Sequence, residues 1–489
     1  MLFNTWTFLV FLAGVFFLYY FTPVLRTQAF FQTTLLTAAS YVFYAWHTPW
    51  LVLILAASTF INTWATFSLL SGSARGRADG RRTVFLAVAG NLLVLAVFKY
   101  ASLLVETFLP PRWHQPWGFD LKTIPLPIGI SFFTFQGISL VVDVYRKTQG
   151  REQLSWKEAE ALAQANPHSY LKAAGDIAFF KAFFPQLIAG PIVKAHQFMD
   201  QIGAKRFRAI DWEGAAKKLV LGYFLKMVVA DNLREVTAGL AYPAFTQMPG
   251  VNLLFLLYAF SFQIFADFCG YSLIAMGLAG LFGYRLPSNF NFPYLSSSIT
   301  EFWKRWHISL SSWLKEYLYI PLGGNRRGPI RTYLNLVVVM LLGGLWHGAA
   351  WKFMFWGGAH GAFLAAERFL RDHRRPNLVP SPVLCGVKIL ATFHLVSTLW
   401  LLFQLGDLQQ GWLFLQRLLQ WPGGISPQPI FSCLLFGSAV ALYHFHGWLA
   451  ERGQENQPPA WTEALAYAAM VFLIFTNSGV SGAFIYFQF

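Results

Sequence analysis

Apolar runs of bilayer-spanning length recur from one end of this chain to the other, parted by short polar stretches rich in Arg, Lys, Gly and Pro. A helix needs roughly 20 apolar residues to cross the hydrocarbon core of a bilayer. The pattern predicts spans at roughly 6–24, 30–46, 49–70 and 83–104, and a returning span in "IGISFFTFQGISLVVDVYRK" after Pro125 and Pro127. Further spans are expected at roughly 214–233, 251–267, 270–284, 331–350, 352–370, 384–405, 430–449 and 463–476. Residues 145–172 read as a polar, helix-prone segment, and residues 285–330 mix aromatic and polar positions. "GDIAFFKAFFPQLIAGPIVKAHQF" is apolar but broken by Pro185, Gly190 and Pro191, which suits a re-entrant or surface-lying segment. Broken backbone is tolerated in membranes where protein or a water-filled cavity covers the freed polar groups.

Composition supports this class. The 489 residues are 56% hydrophobic, 18% aromatic and only 12% charged, with mean hydropathy +0.45. A soluble globular chain is about 45–50% apolar and about 25% charged. The chain reads as an all-α polytopic membrane protein, a single integral membrane domain over residues 1–489 with no soluble appendage larger than a loop. No internal repeat of the transporter kind is seen.

The net charge of +15 sits in the polar connectors, as in "SGSARGRADGRR", rather than in a nucleic-acid-binding patch. Basic connectors are expected on the cytoplasmic side and next to anionic lipid headgroups. Counting back from that connector puts the N-terminus outside the cytoplasm; the basic run "ERFLRDHRR", read as cytoplasmic, puts the terminal "GAFIYFQF" outside or in the outer leaflet. "MLFNTWTFLVFLAGVFFLYYF" lacks the basic start of a signal peptide and reads as a retained first helix. Lys99, near the end of its span, is expected to snorkel to the interface. Cys269, Cys385 and Cys433 have neither metal-ligand spacing nor a disulfide framework.

Candidate chemistry centres on two histidines. In "EFWKRWHISLSSW", Ser298 and Glu301 have capping-box spacing, so a helix starts there, and Glu301 can pair with Arg305 one turn on. A continuous helix puts Trp303, His307, Leu310, Ser311 and Leu314 on one face. "MLLGGLWHGAAW" places His347 inside an apolar span. An ionisable residue at that depth is costly, which makes it a functional candidate. Gly343, Gly344 and Gly348 around it allow close approach of a substrate or of another backbone. Imidazole suits proton transfer near neutral pH. No Gly-x-Ser-x-Gly elbow and no His-Glu-x-x-His motif occurs, so neither a serine triad nor a metal site is expected. Asp267 is placed to orient a histidine, pair with a cation or hold a helix break. "IPLGGNRRGPIR" offers glycine-rich backbone with Arg326, Arg327 and Arg331 for lipid phosphates or a phosphorylated donor.

At these residues the chain resembles the membrane-bound O-acyltransferases, in the bacterial branch that modifies cell-surface polymers. The resemblance is carried by "FADFCGYSLIAMGLAGLFGYRLPSNFNFPYLSSSITEFWKRWHISLSSWLKEYLYIPLGGNRRG" and "LLGGLWHGAAWKFMFWGGAHG". "ASYVFYAW", "PIGISFFTFQGISLVVDVYR", "PQLIAGPIV" and the terminal "FIYFQF" support it. Relatives often carry an acid where this chain has Leu273, which weakens residue-level transfer around Asp267.

The resemblance implies a ring of roughly 11 transmembrane helices, with re-entrant or interfacial helices, around a central channel. It implies His347 as the catalytic histidine, with His307 as its partner. The donor implied is acetyl-CoA, a co-substrate rather than a resident cofactor, with Arg326, Arg327, Asn325, Lys304 and Trp346 as candidate binding residues. The acceptor side implied is an SGNH-type periplasmic partner or the polysaccharide itself, together with the polysaccharide synthesis machinery. The rivals are D-alanyl transfer from a carrier protein, a transporter or flippase of lipid-linked saccharides, and a scaffold that only recruits an outer transferase, in which neither histidine matters.

Overall fold

The computed structural model describes all residues except 24–27, 75–79, 109–125, 151–166, 189, 374–380, 454–458, 481, 483 and 485–489. The expectations for 145–172, for "SGSARGRADGRR" and for the C-terminal motif therefore fall largely outside the described residues. Among those described, the regular elements are all helical. Among the described residues, six helices are long and apolar enough to cross a membrane: Pro49–Gly72, Arg81–Phe108, Gly250–Leu281, Pro329–His347, Pro382–Gln404 and Pro427–Glu451. Trp6–Phe21 and Ala460–Thr476 are shorter apolar helices. The protein is an all-α, multi-pass membrane protein. It divides into two compact units, one of residues 1–216 with 275–287 and the other of residues 217–274 with 288–489.

The first unit contains the helices Ala29–Ala45, Val52–Ala74, Ile130–Thr148 and Pro167–Ala182. Ile130–Thr148 begins at Gly129, whose φ of +79° is the left-handed region that glycine enters freely. A Cβ there would also lie 2.5 Å from the Leu187 carbonyl. Buried polar groups answer one another. Ser58 donates to Asn91 at 2.8 Å, Asn62 and Asn91 exchange amide bonds at 3.2 and 3.1 Å, and the fully buried Lys181 donates to Ser58.

Two expectations change in this unit. Phe179, Phe180, Lys181, Phe183 and Phe184 are wholly buried, so the broken segment is an interior one and does not lie on a surface. Lys99 does not snorkel: it is buried and donates to the Ser131 hydroxyl at 3.2 Å, because a polar partner is available inside.

The two spans expected at 251–267 and 270–284 are one helix, Gly250–Leu281, of 32 residues, whose residues 250–274 fall in the second unit. At 1.5 Å per residue it is about 48 Å long, well beyond a hydrocarbon core of about 30 Å. Gly270 is not a breaker. A Cβ there would lie 2.8 Å from the Gly222 carbonyl, so the glycine lets two backbones touch.

The same economy of side chains joins Pro329–His347 to Trp351–His373. A Cβ on Gly357 would lie 2.1 Å from the Met340 carbonyl and 3.0 Å from the Gly344 Cα, and one on Gly361 would lie 2.8 Å from the Val337 Cα. Gly357→Ala is expected to lower the melting temperature and the yield of monodisperse protein, by more than the ~1–3 kcal/mol of an ordinary overpacked site. Gly386, inside the helix Pro382–Gln404, meets nothing within 4 Å of an added Cβ. Gly386→Ala is the control, and it should be neutral or slightly stabilising. Equal melting of the two variants would show that the glycine seam is not tight.

Candidate active site

His307 is placed by a break that the sequence pattern did not predict. The helix Ile299–Arg305 starts as expected: the Ser298 hydroxyl accepts from the Glu301 N–H at 3.1 Å. The return bond from Glu301 goes to the Ser297 N–H and hydroxyl, both at 2.8 Å, rather than to Ser298. Arg305 pairs with Glu301 at 2.8 Å and also with Glu451. Burial tends to raise the Glu301 carboxyl, but the bonds from Ser297 and Arg305 outweigh it and hold the group below its ordinary range.

The helix then stops. His307 adopts φ 44° and ψ 52°, the left-handed region, and a second helix runs Ile308–Leu314. A non-glycine residue costs roughly 1–2 kcal/mol there, so surrounding bonds must hold it. Asn289 does much of this. Its carbonyl accepts from the Ile308 N–H at 3.0 Å, its side chain accepts from Ser309 at 2.6 Å, and its amide donates to Ser272 at 3.0 Å. The Asn291 N–H donates to the Arg305 carbonyl at 2.9 Å. The expected single face of Trp303, His307 and Ser311 is therefore corrected. The turn redirects His307, which is fully buried. The sequence reading missed Asn289; the Asn-x-Asn of "SNFNF" was its available signal.

His347 is the last residue of Pro329–His347, and Gly348 follows in an extended conformation. The helix thus ends at the histidine instead of continuing past it. The glycines there serve packing. A Cβ on Gly348 would lie 2.2 Å from the Phe353 ring, and one on Gly344 would lie 2.2 Å from the Phe353 carbonyl. His347 is 3% exposed.

These two positions bring the imidazoles together, 6.3 Å between ring centroids. Trp346 packs edge-on to both, at 5.8 Å from His307 and 5.1 Å from His347. Phe268 closes on His307 at 4.7 Å. Trp356 and Phe403 close on His347 at 5.2 and 5.5 Å. The result is an enclosed aromatic box around two imidazoles, where polar interactions are stronger than in water.

Of the candidate donor-binding residues, Trp346 is in this box. Lys304, Asn325, Arg326 and Arg327 are exposed, the last three on a turn held by the Asn335 amide at 2.9 Å from the Gly324 carbonyl. Asp267 takes the second of its three expected roles. It pairs with Lys226 at 2.8 Å, and Lys226 also pairs with Asp231 at 2.7 Å.

Residues 113–403 match the membrane-bound O-acyltransferase family. The chain is 37% identical to a probable alginate O-acetylase of Pseudomonas aeruginosa, over 92% of this chain and 83% of the relative. It is 35% identical to a peptidoglycan O-acetyltransferase of Helicobacter pylori, over 84% of this chain and 78% of that one. It is 26% identical to a teichoic acid D-alanyltransferase of Bacillus subtilis, over 61% and 76%. A helical membrane scaffold, two buried histidines in an aromatic box and these likenesses converge: the chain belongs to the membrane-bound O-acyltransferase family and is an O-acyltransferase.

Proposed function

We propose that this protein O-acetylates an extracytoplasmic polysaccharide, such as alginate or another exopolysaccharide, from the bacterial inner membrane. Acetyl-CoA supplies the acetyl group on the cytoplasmic side. An SGNH-type periplasmic partner, or the polymer itself, receives it. The observation that carries this reading is the pair of buried imidazoles 6.3 Å apart. An atom between the rings is within proton-transfer reach of both. The acetylating relatives also match more of the chain, at higher identity, than the D-alanylating ones.

In this reading a ring nitrogen of His347 accepts the proton of an acceptor hydroxyl, and the oxygen attacks the thioester carbonyl carbon. The carbon–sulfur bond breaks, and the coenzyme thiolate takes up the proton. The products are an ester and a free thiol, with no net proton released. His307 orients the hydroxyl or relays the proton. The exposed Arg326, Arg327, Asn325 and Lys304 are available to the coenzyme phosphates, as charge-assisted donors suit. Trp346 borders the path of the acyl group.

The purified protein is expected to release free thiol from acetyl-CoA when an acceptor is supplied. Release only from a D-alanyl carrier-protein thioester would replace acetyl by D-alanyl. Release from neither donor, with transport of a lipid-linked saccharide in vesicles, would sink the enzyme reading in favour of a flippase.

A further inference from the structure

A third histidine, absent from this mechanism, is fully buried beside the box. His360 lies one helical turn beyond Trp356, on the same face of Trp351–His373. Its Nδ1 is 3.3 Å from the indole Nε1 of Trp303. An indole nitrogen only donates, so Nδ1 must present a lone pair; the neutral ring then carries its hydrogen on Nε2. Trp303 belongs to the helix Ile299–Arg305, which leads directly into the left-handed turn at His307. Trp356 stands between the histidines on the other side: its ring is 4.7 Å from His360 and 5.2 Å from His347, edge-on to both. Trp303 closes the group at 5.2 Å from His360 and 5.7 Å from Trp356. One side chain thus ties the element that delivers His307 to the indole that leans on His347.

We propose that His360 is a positioning residue for acyl transfer: by accepting the Trp303 indole hydrogen at Nδ1, it fixes Trp303 and Trp356 as the wall that aims His307 and His347. This rests on the acyl-transfer reading above. A side chain that only fills space would be replaced well by another ring. A side chain that works through its acceptor would be replaced well by a smaller group carrying one. His360→Phe keeps the ring and leaves the Trp303 N–H buried without an acceptor. His360→Asn loses the ring, and its carbonyl oxygen takes the place of Nδ1.

The test compares kcat and KM for acetyl-CoA, with the melting temperature of each purified variant. His360→Phe is expected to lower kcat about 100-fold, as misplacement by about 1 Å does, with little change in KM. His360→Asn should recover most of that loss. Trp303→Phe removes the same bond from the other end and should reproduce the kcat loss. The double variant should lose no more than either single one. This cycle remains readable if His360→Phe alone folds poorly. Wild-type kcat in His360→Phe, a better kcat for Phe than for Asn, or losses that multiply in the double variant would overturn the inference. A wild-type protein inert toward acetyl-CoA would overturn the donor reading and this inference with it; an active wild type isolates the two.

Discussion

A His347→Ala protein is expected to insert and fold, yet to lose acyl transfer by about 10²–10⁴-fold, the usual contribution of a positioned acid–base group. The imidazole is almost wholly enclosed by Trp346, Trp356 and Phe403. Its removal therefore leaves a small dry gap rather than an open channel mouth. The backbone beneath it should not move, because Phe353 packs directly against Gly344 and Gly348. A fold-retaining loss is what separates chemistry from architecture here. Thiol release from the donor, ester formation on the acceptor and the melting temperature should be measured on one preparation. Normal transfer by a well-inserted His347→Ala protein would end the assignment, and equal loss of transfer and of folded protein would make the residue structural.

The second large effect is on stability. Lys226 lies between Asp231 and Asp267, at 2.7 and 2.8 Å, with all three side chains nearly excluded from solvent. Replacing Lys226 by methionine keeps most of the stem's volume and leaves two buried carboxylates facing a vanished cation. Breaking a buried pair in this way costs about 3–5 kcal/mol, far more than such a pair contributes over a well-packed apolar substitute. Lys226→Met is therefore expected to melt well below the wild type. Adding Asp267→Asn should restore part of the loss by removing one stranded charge. An undiminished melting temperature in Lys226→Met would show that the three groups are not coupled.

Much of the scaffold was readable from the pattern of apolar runs, because lipid imposes one simple requirement on every spanning helix. The capping signal at Ser298 and the Glu301–Arg305 pair were equally local, and both are present. What escaped the pattern depends on distant partners. The break at His307 requires Asn289, whose bonds come from outside the helix it interrupts. Cys269–Gly270 looked like a place to end one span and begin another. It is the point where the long helix meets Gly222, a contact visible only in three dimensions. Lys99 looked like an interfacial cation and is interior, since Ser131 receives it. Among the site residues, His347, His307 and Trp346 converge. The arginines of "GGNRRG" stay on an exposed turn. His360 lies in the quoted "WKFMFWGGAHG", but its link to Trp303 is visible only in three dimensions.

The glycine seam between Pro329–His347 and Trp351–His373 also fixes a length. Where peptide groups meet at Gly344 and Gly357, no rotamer intervenes, so the offset between the helices is set by covalent geometry. His347 hangs from one side of that seam and Trp356 from the other, one residue before Gly357. Their spacing is in effect machined into the backbone. Warming, a thicker bilayer or drift at the lipid-facing positions can rearrange the outer side chains without retuning it. The corollary is a site that evolution can surround with new residues but cannot gradually widen at this point, because the smallest available step is already a methyl group.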